Sequence, residues 1–255
     1  MITLNENLIQ SLLPGKILVV QVGYSRTAVL VDTDEGLRCG IAATLSNPEF
    51  EHHCQPAVRN AGHLHEMHAT DLARLIESPS FTEVAVGLAT INALLPRNPD
   101  QWMELNAVDY LTQYGVNKNV AVVGHFPFIN RLRLLVKNLW VLELNPRDGD
   151  LPAQAALEII PQADLVAITA TTLINKTFQG LIELCRPDAH VVLIGPSTPL
   201  SPILHDYGID VISGTIVTDP KATLLGISQG TSLHQLRQAE TIRLVTIKKD
   251  YKNGK

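Results

Sequence analysis

The 255-residue chain is 45% hydrophobic and 18% charged, enough apolar material for one large domain or two modest ones. Its net charge of -5 at pH 7 argues against a nucleic-acid partner, which usually calls for a strongly basic face. Three scattered cysteines (Cys39, Cys54 and Cys185) form no CxxC pair and fit a reducing compartment, and no apolar run approaches the roughly 20 residues of a membrane helix.

The opening "MITLNENLIQ" lacks the basic and apolar regions of a signal peptide, so a cytoplasmic protein without membrane association is expected. The runs "KILVVQVG", "TAVLVDT" and "GLRCGIAAT" are separated by turn-sized gaps and predict an antiparallel meander of three strands. Helical rhythm follows. "ATDLARLIES" carries a Thr-Asp cap signal, and Phe81, Val84, Leu88, Ile91 and Leu95 recur at helical spacing in "FTEVAVGLATINALL", which predicts two helices over one face of the meander. Pro96 and Pro99 close this unit, and a helix from about Gln101 to Tyr114 leads into the second half.

From Val120 onward "VAVVG", "WVLEL", "DLVAIT", "HVVLIG" and "DVISG" are continuous apolar runs separated by helix-sized segments, the pattern of parallel strands buried on both faces. "RLVTIKKDYKNGK" adds a final strand and a basic tail. The fold class is therefore α/β: a small N-terminal α+β domain over residues 1–98, then a Rossmann-like domain with a mainly parallel sheet over 99–255 that includes the connecting helix.

Ligands of open parallel sheets sit outside the carboxyl ends of the strands, so the loops after the strands hold the candidate site residues. The first, "GHFPF", lacks the GxGxxG that lets a backbone approach a pyrophosphate, since His125 and Phe126 stand where glycines would be. Glu143 lies 19 residues after Gly124, where an acidic side chain would hold a ribose diol or form an ion pair. Thr171 or Thr172 can cap the next helix or receive an anion there. "GPSTPL" holds the Ser197 and Thr198 hydroxyls between two prolines, a stiff ligand wall without the GxSxG of a serine nucleophile.

The ordered set "VAVVGHFPFI", "LELNPRDGDLP", "ADLVAITATTLINKT", "VVLIGPSTPLSP" and "GIDVISG" strongly resembles the putative heavy-metal chelation family, and "VVQVGYSRTAVLV" and "VGLATINALLP" are similar to it more loosely. That resemblance implies an enolase N-terminal-like domain followed by a Rossmann-like domain, with a site in the cleft between them. It implies site positions at Gly124, His125, Pro127, Glu143, Asn145, Thr169, Thr171, Asn175, Thr177, Gly195, Pro196, Ser197, Thr198 and Pro199; if the protein is an enzyme, His125 is the catalytic candidate, a general acid or base. An imidazole with a pKa near 6.5 suits proton transfer near neutrality.

Five of the nine histidines fall in "HHCQPAVRNAGHLHEMH", beside Cys54 and Glu66. A helix starting near Leu64 would place His65 and His68 on one face as metal ligands, although the spacing matches no zinc signature. The function expected is binding, with chemical modification as an extension, of a small anionic or metal-chelating ligand, and a divalent or heavy-metal ion is the cofactor that goes with it. Two alternatives stand beside it: a noncatalytic carrier of a metal or metal complex, and a transferase or oxidoreductase using a nucleotide cofactor anchored by Glu143. The partner is a small molecule or metal complex, and a homo-oligomer is left open.

Overall fold

The computed structural model describes residues 2–47, 57–103 and 107–250. Strands β1 (Lys16–Val22), β2 (Arg26–Thr33) and β3 (Gly36–Ala43) form the antiparallel meander in that order, with β2 and β3 in register from Arg26 opposite Ala43 to Thr33 opposite Gly36. Because side chains alternate across a strand, Val29 and Val31 enter one core while Ala28 and Leu30 enter another with Cys39 and Ile41. The sheet is thus covered on both faces, where the sequence predicted cover on one. The second face meets Val217, Ile227, Leu236 and Ile242 from the far end of the chain, which is why "TAVLV" is apolar without interruption.

The first face carries the helices. Helix α1 (Leu4–Gln10) starts with a reciprocal capping box between Thr3 and Glu6. Helix α2 (Ala69–Ala73) is shorter than "ATDLARLIES" suggests: His68 is its cap residue, and the chain tightens into a 3₁₀ turn at Arg74–Glu77. Helix α3 (Phe81–Leu94) buries Val84, Leu88 and Ile91 at the expected spacing, and most of its other residues as well. β3 lies so close to α3 that a Cβ on Gly40 would stand 2.1 Å from the Ala89 carbonyl oxygen and 2.3 Å from the Ala93 nitrogen. Only glycine fits there.

Beyond a 3₁₀ turn at Pro99–Gln101, helix α4 (Ala107–Tyr114) leads into the second sheet. Its elements are β4 (Asn119–Val123), α5 (Ile129–Arg133), β5 (Asn138–Glu143), β6 (Leu151–Pro152), α6 (Ala156–Ile159), β7 (Leu165–Thr169), α7 (Thr171–Ile174), α8 (Phe178–Glu183), β8 (His190–Ile194), β9 (Val211–Val217), α9 (Pro220–Ser228), α10 (Leu233–Gln238) and β10 (Ile242–Lys248). The strand order is β10-β9-β8-β7-β4-β5-β6, and only β10 runs antiparallel to its neighbour. From β4 the chain winds outward to β5 and β6, then returns across to β7, so the order reverses between β4 and β7. That is the switch point at which such sheets take their ligands. Among the described residues no helix is long and apolar enough to cross a membrane.

Candidate functional site

A cleft of about 360 Å³ opens at this switch point, within the size range of small-ligand pockets. Gly124, His125 and Phe126 after β4, Glu143 and Leu144 after β5, and Thr169, Thr171, Thr172, Asn175 and Thr177 after β7 line it. Every lining residue falls between Val123 and Leu181, so the cleft belongs to the second sheet and does not lie between the two halves as the resemblance implied.

β4 ends at Gly124, whose φ of 105° and N–H bond to the Leu142 carbonyl turn the chain over the sheet edge. A side chain there would be strained and would crowd Thr169, at 3.1 Å from its Cβ and Cγ2. The turn then presents His125. Its ring Nδ1 lies 2.8 Å and 3.1 Å from the two carboxylate oxygens of Asp150, whose side chain is only 1% exposed. Burial opposes the Asp150 charge, but the hydrogen bonds from the His125 ring and from the Arg147 N–H outweigh it and hold the carboxyl below the ordinary aspartate range. An ionised Asp150 can only accept, so Nδ1 carries the proton, which in the neutral tautomer leaves the lone pair at Nε2. Asp150 was not singled out in the sequence. The available signal was an acidic residue in "NPRDGD", a loop that turns at Gly149 with φ 86° and brings the chain back to β4.

Glu143 sits at the end of β5 where the sequence placed a ribose or cation ligand. Its Oε1 accepts the His125 N–H at 2.6 Å and its Oε2 accepts the Leu144 N–H at 3.1 Å. A carboxylate therefore already occupies the backbone donor that a phosphate would use in a dinucleotide turn. The following helix α5 is five residues long and has no side-chain cap, which leaves little to attract a second anion.

The third loop builds the opposite wall. Thr169 and Thr171 hydroxyls lie 3.0 Å apart, and Asn175 Oδ1 accepts from the Thr177 hydroxyl at 2.7 Å and from its N–H at 3.3 Å. Neither Thr171 nor Thr172 caps α7: the cap residue is Ala170, and the Thr172 hydroxyl donates back to the Thr169 carbonyl at 2.7 Å.

Other predicted positions lie elsewhere. Pro127 and Asn145 are exposed and outside the lining. Gly195, Pro196, Ser197, Thr198 and Pro199 do not line the cleft, and Ser197 and Thr198 are each 1% exposed. The reason is β3, an edge strand whose Ala43 N–H needs an acceptor: Ser197 Oγ provides it at 2.8 Å, while the Asn92 amide donates to the Ser197 carbonyl at 3.2 Å. "GPSTPL" is thus a joint between the two sheets rather than a wall of the cleft.

The predicted helical pairing of His65 and His68 is also corrected. A 3₁₀ turn covers only Leu64–Glu66, Met67 and His68 are extended, and Met67 turns to pack against the core, so the two imidazoles do not share a helix face. His63 and His65 are exposed beside Glu66, at 3.2 Å and 3.8 Å from its Oε1. His52, His53 and Cys54 lie outside the described residues.

Comparison with known proteins places the chain. A family model, DUF364, described as putative heavy-metal chelation, matches residues 106–246, and a second with the same description, DUF4213, matches residues 5–95. The chain belongs to this putative heavy-metal chelation family. An uncharacterized protein of Methanocaldococcus jannaschii is 25% identical over 213 residues, 80% of each chain. Two DUF364 family proteins of unknown function share the fold in crystal structures. The one from Desulfitobacterium hafniense has a TM-score of 0.78 and 25% identity, covering 96% of this chain and 97% of that one. The one from Pyrococcus horikoshii has a TM-score of 0.83 and 19% identity over 96% and 98%.

The family's description raises the matter of a metal, and the side chains answer it directly. Among the described residues no group of three or more His, Cys, Asp or Glu is arranged to hold an ion. Burial pushes the Cys39 thiol up to about 12 and the Cys185 thiol to about 11, so neither offers the thiolate that a soft metal prefers. In the cleft each Glu143 oxygen already accepts a backbone N–H and keeps only its remaining lone pairs beside His125 Nε2, and among the described residues no third such side chain completes a set. These residues do not fit a bare metal ion.

Proposed function

We propose that the chain binds a small metal-chelating organic molecule, or its metal complex, in the switch-point cleft, with His125 contacting the ligand's donor atoms. The His125–Asp150 pair carries this reading. A buried carboxylate fixes the tautomer so that Nε2 is a lone-pair donor, the arrangement by which an imidazole serves as a metal ligand or as a general base. One imidazole is too little for a bare ion but enough for an ion whose other positions a chelator fills. The threonine hydroxyls and the Asn175 amide on the facing wall suit the carboxylate or hydroxyl groups of such a molecule.

The test is native mass spectrometry of protein purified without a metal column, together with titration by zinc ion alone and by zinc citrate. A co-purifying mass, or binding of zinc citrate but not of zinc alone, is expected. His125→Ala should then weaken the interaction at least about tenfold, the loss of one directional contact of about 1.4 kcal/mol. Undiminished binding by His125→Ala would remove the reading.

A further inference from the structure

The joint between the sheets contains a second, separate pocket. It is small, about 10 Å³, and Asn92, Arg97, Trp102, Thr198 and Thr215 contribute to its lining. Five buried polar atoms of these residues have no hydrogen-bond partner among the described residues: Arg97 Nε and Nη2, Thr198 Oγ1, Thr215 Oγ1 and Asn92 Oδ1. Buried polar groups are nearly always paired, so such a concentration at one cavity marks an occupant. Thr198 is 1% exposed and Thr215 9%, which puts both hydroxyls out of reach of bulk water.

The character of the occupant follows from the charges and donors. Arg38 lies close by, buried to 3% exposure, with one guanidinium nitrogen donating to the Leu95 carbonyl, Nη1 in an ion pair with Glu35 but without a hydrogen bond, and Nε without a hydrogen-bond partner among the described residues. Its nearest carboxylate is the exposed Glu35 at 3.8 Å. Burial, and then the Arg38 charge, push Arg97 down to about 10, still far above neutrality, and a guanidinium keeps its proton in proteins. Arg97 lines this cavity and Arg38 lies beside it, with the exposed Glu35 as a partial counter-charge, and among the described residues no acidic side chain lines the cavity. Of the five unpartnered atoms four can donate. Only Asn92 Oδ1 cannot, because its amide nitrogen is fixed by the Ile41 and Ser197 carbonyls at 2.9 Å and 3.2 Å. The donors and the charge therefore favour an anion over a cation.

We propose that this pocket binds one monatomic anion of chloride size, held by the Arg97 N–H groups and the Thr198 and Thr215 hydroxyls, and that the ion locks the joint between the two sheets. A water molecule would fit the same donors but would add no negative charge beside the buried Arg97 guanidinium, which the exposed Glu35 offsets only from a distance.

The experiment compares thermal unfolding in sodium chloride and in sodium gluconate at matched ionic strength, and locates bromide by anomalous scattering in crystals soaked in sodium bromide. A saturable rise in Tm with chloride but not gluconate is expected. So is an anomalous peak between Arg97, Thr198 and Thr215, with loss of the chloride-dependent rise in Thr198→Val, which keeps the shape and removes the hydroxyl. Equal Tm in the two salts, a pocket holding only water after the soak, or a full chloride effect in Thr198→Val would each overturn the proposal. If Thr198→Val does not fold, the two measurements on the parent protein decide.

Discussion

Two loops leave the same edge of one sheet, each opened by a glycine at positive φ, and they become opposites. "GHFPF" follows β4 from Gly124 at φ 105°, and "GPSTPL" follows β8 from Gly195 at φ 127°. The first stays open and presents an imidazole oriented by a buried aspartate. The second is closed by the edge of the N-terminal sheet, and its serine becomes the acceptor for a strand that has no further neighbour among the described residues. A strand end fixes where a ligand can bind. What packs over that end decides whether it binds one, and the packing partner here comes from a strand more than 150 positions earlier in the chain.

If the joint is the rigid member of the pair, the largest effect should come from prying it apart. Gly40→Ala places a methyl against the α3 backbone beside the strand that reaches Ser197, and should cost about 3 kcal/mol or more in the urea unfolding free energy. A variant as stable as the parent would show that β3 and α3 separate freely and that the contrast with the cleft is false. Ser197→Ala should cost about 1–3 kcal/mol, because it strands the buried Ala43 N–H, and should leave cleft affinity unchanged. Weakened cleft binding at full stability would mean that the two loops share one ligand after all.

A smaller effect is expected at the cleft itself. In Glu143→Gln the amide keeps one acceptor oxygen where the carboxylate used two, so one of the His125 and Leu144 N–H groups loses its partner, at a cost of about 1 kcal/mol. Lost ligand affinity with no change in stability would instead support a side chain that serves the ligand and not the turn, and would revive the nucleotide reading of this residue.

Much of the architecture was legible because local patterns decide it. Strands buried on both faces read as unbroken apolar runs, and Val84, Leu88 and Ile91 mark a helix by period alone. The switch point beside Gly124 and Thr169 followed too, whereas the expected cleft between the two halves did not. What was not legible depends on distant contacts. Asp150 is 25 residues from the imidazole it orients, and no periodicity links them. "GPSTPL" has the composition of a ligand loop, and only the packing of β3 makes it a joint. Met67 breaks the helical pairing of His65 and His68 because its side chain finds the core, a tertiary choice that overrides spacing.

The smallest expected effect contrasts the two edges of the second sheet through their histidines. His190 opens β8 at the edge away from the cleft, stacked on Tyr114 at 4.8 Å between ring centres and on Tyr110 at 5.6 Å, with its Nε2 bonded to the Tyr110 hydroxyl and its Nδ1 3.5 Å from Asp210. Burial pushes its pKa below the ordinary 6.5 despite the Asp210 charge, and Lys118 and Lys248 push the same way. A depressed folded pKa means that the unfolded chain takes up the proton first. Stability from the neutral ring is complete above about pH 6.5 and is lost as the pH falls from there through the folded value. Asp150 behaves alike in sign but lower on the scale: its contribution is complete above the ordinary aspartate value of 3.8 and is lost only as the pH falls below it. Mild acid should therefore loosen the edge that holds α4 well before it protonates the Asp150 carboxylate at the cleft. Unfolding free energies measured between about pH 7 and pH 5 should fall less steeply in His190→Gln than in the parent, while Asp150→Asn should leave that slope unchanged. If Asp150→Asn flattened it instead, the acid-sensitive edge would be the cleft, and the assignment of the two edges would be reversed.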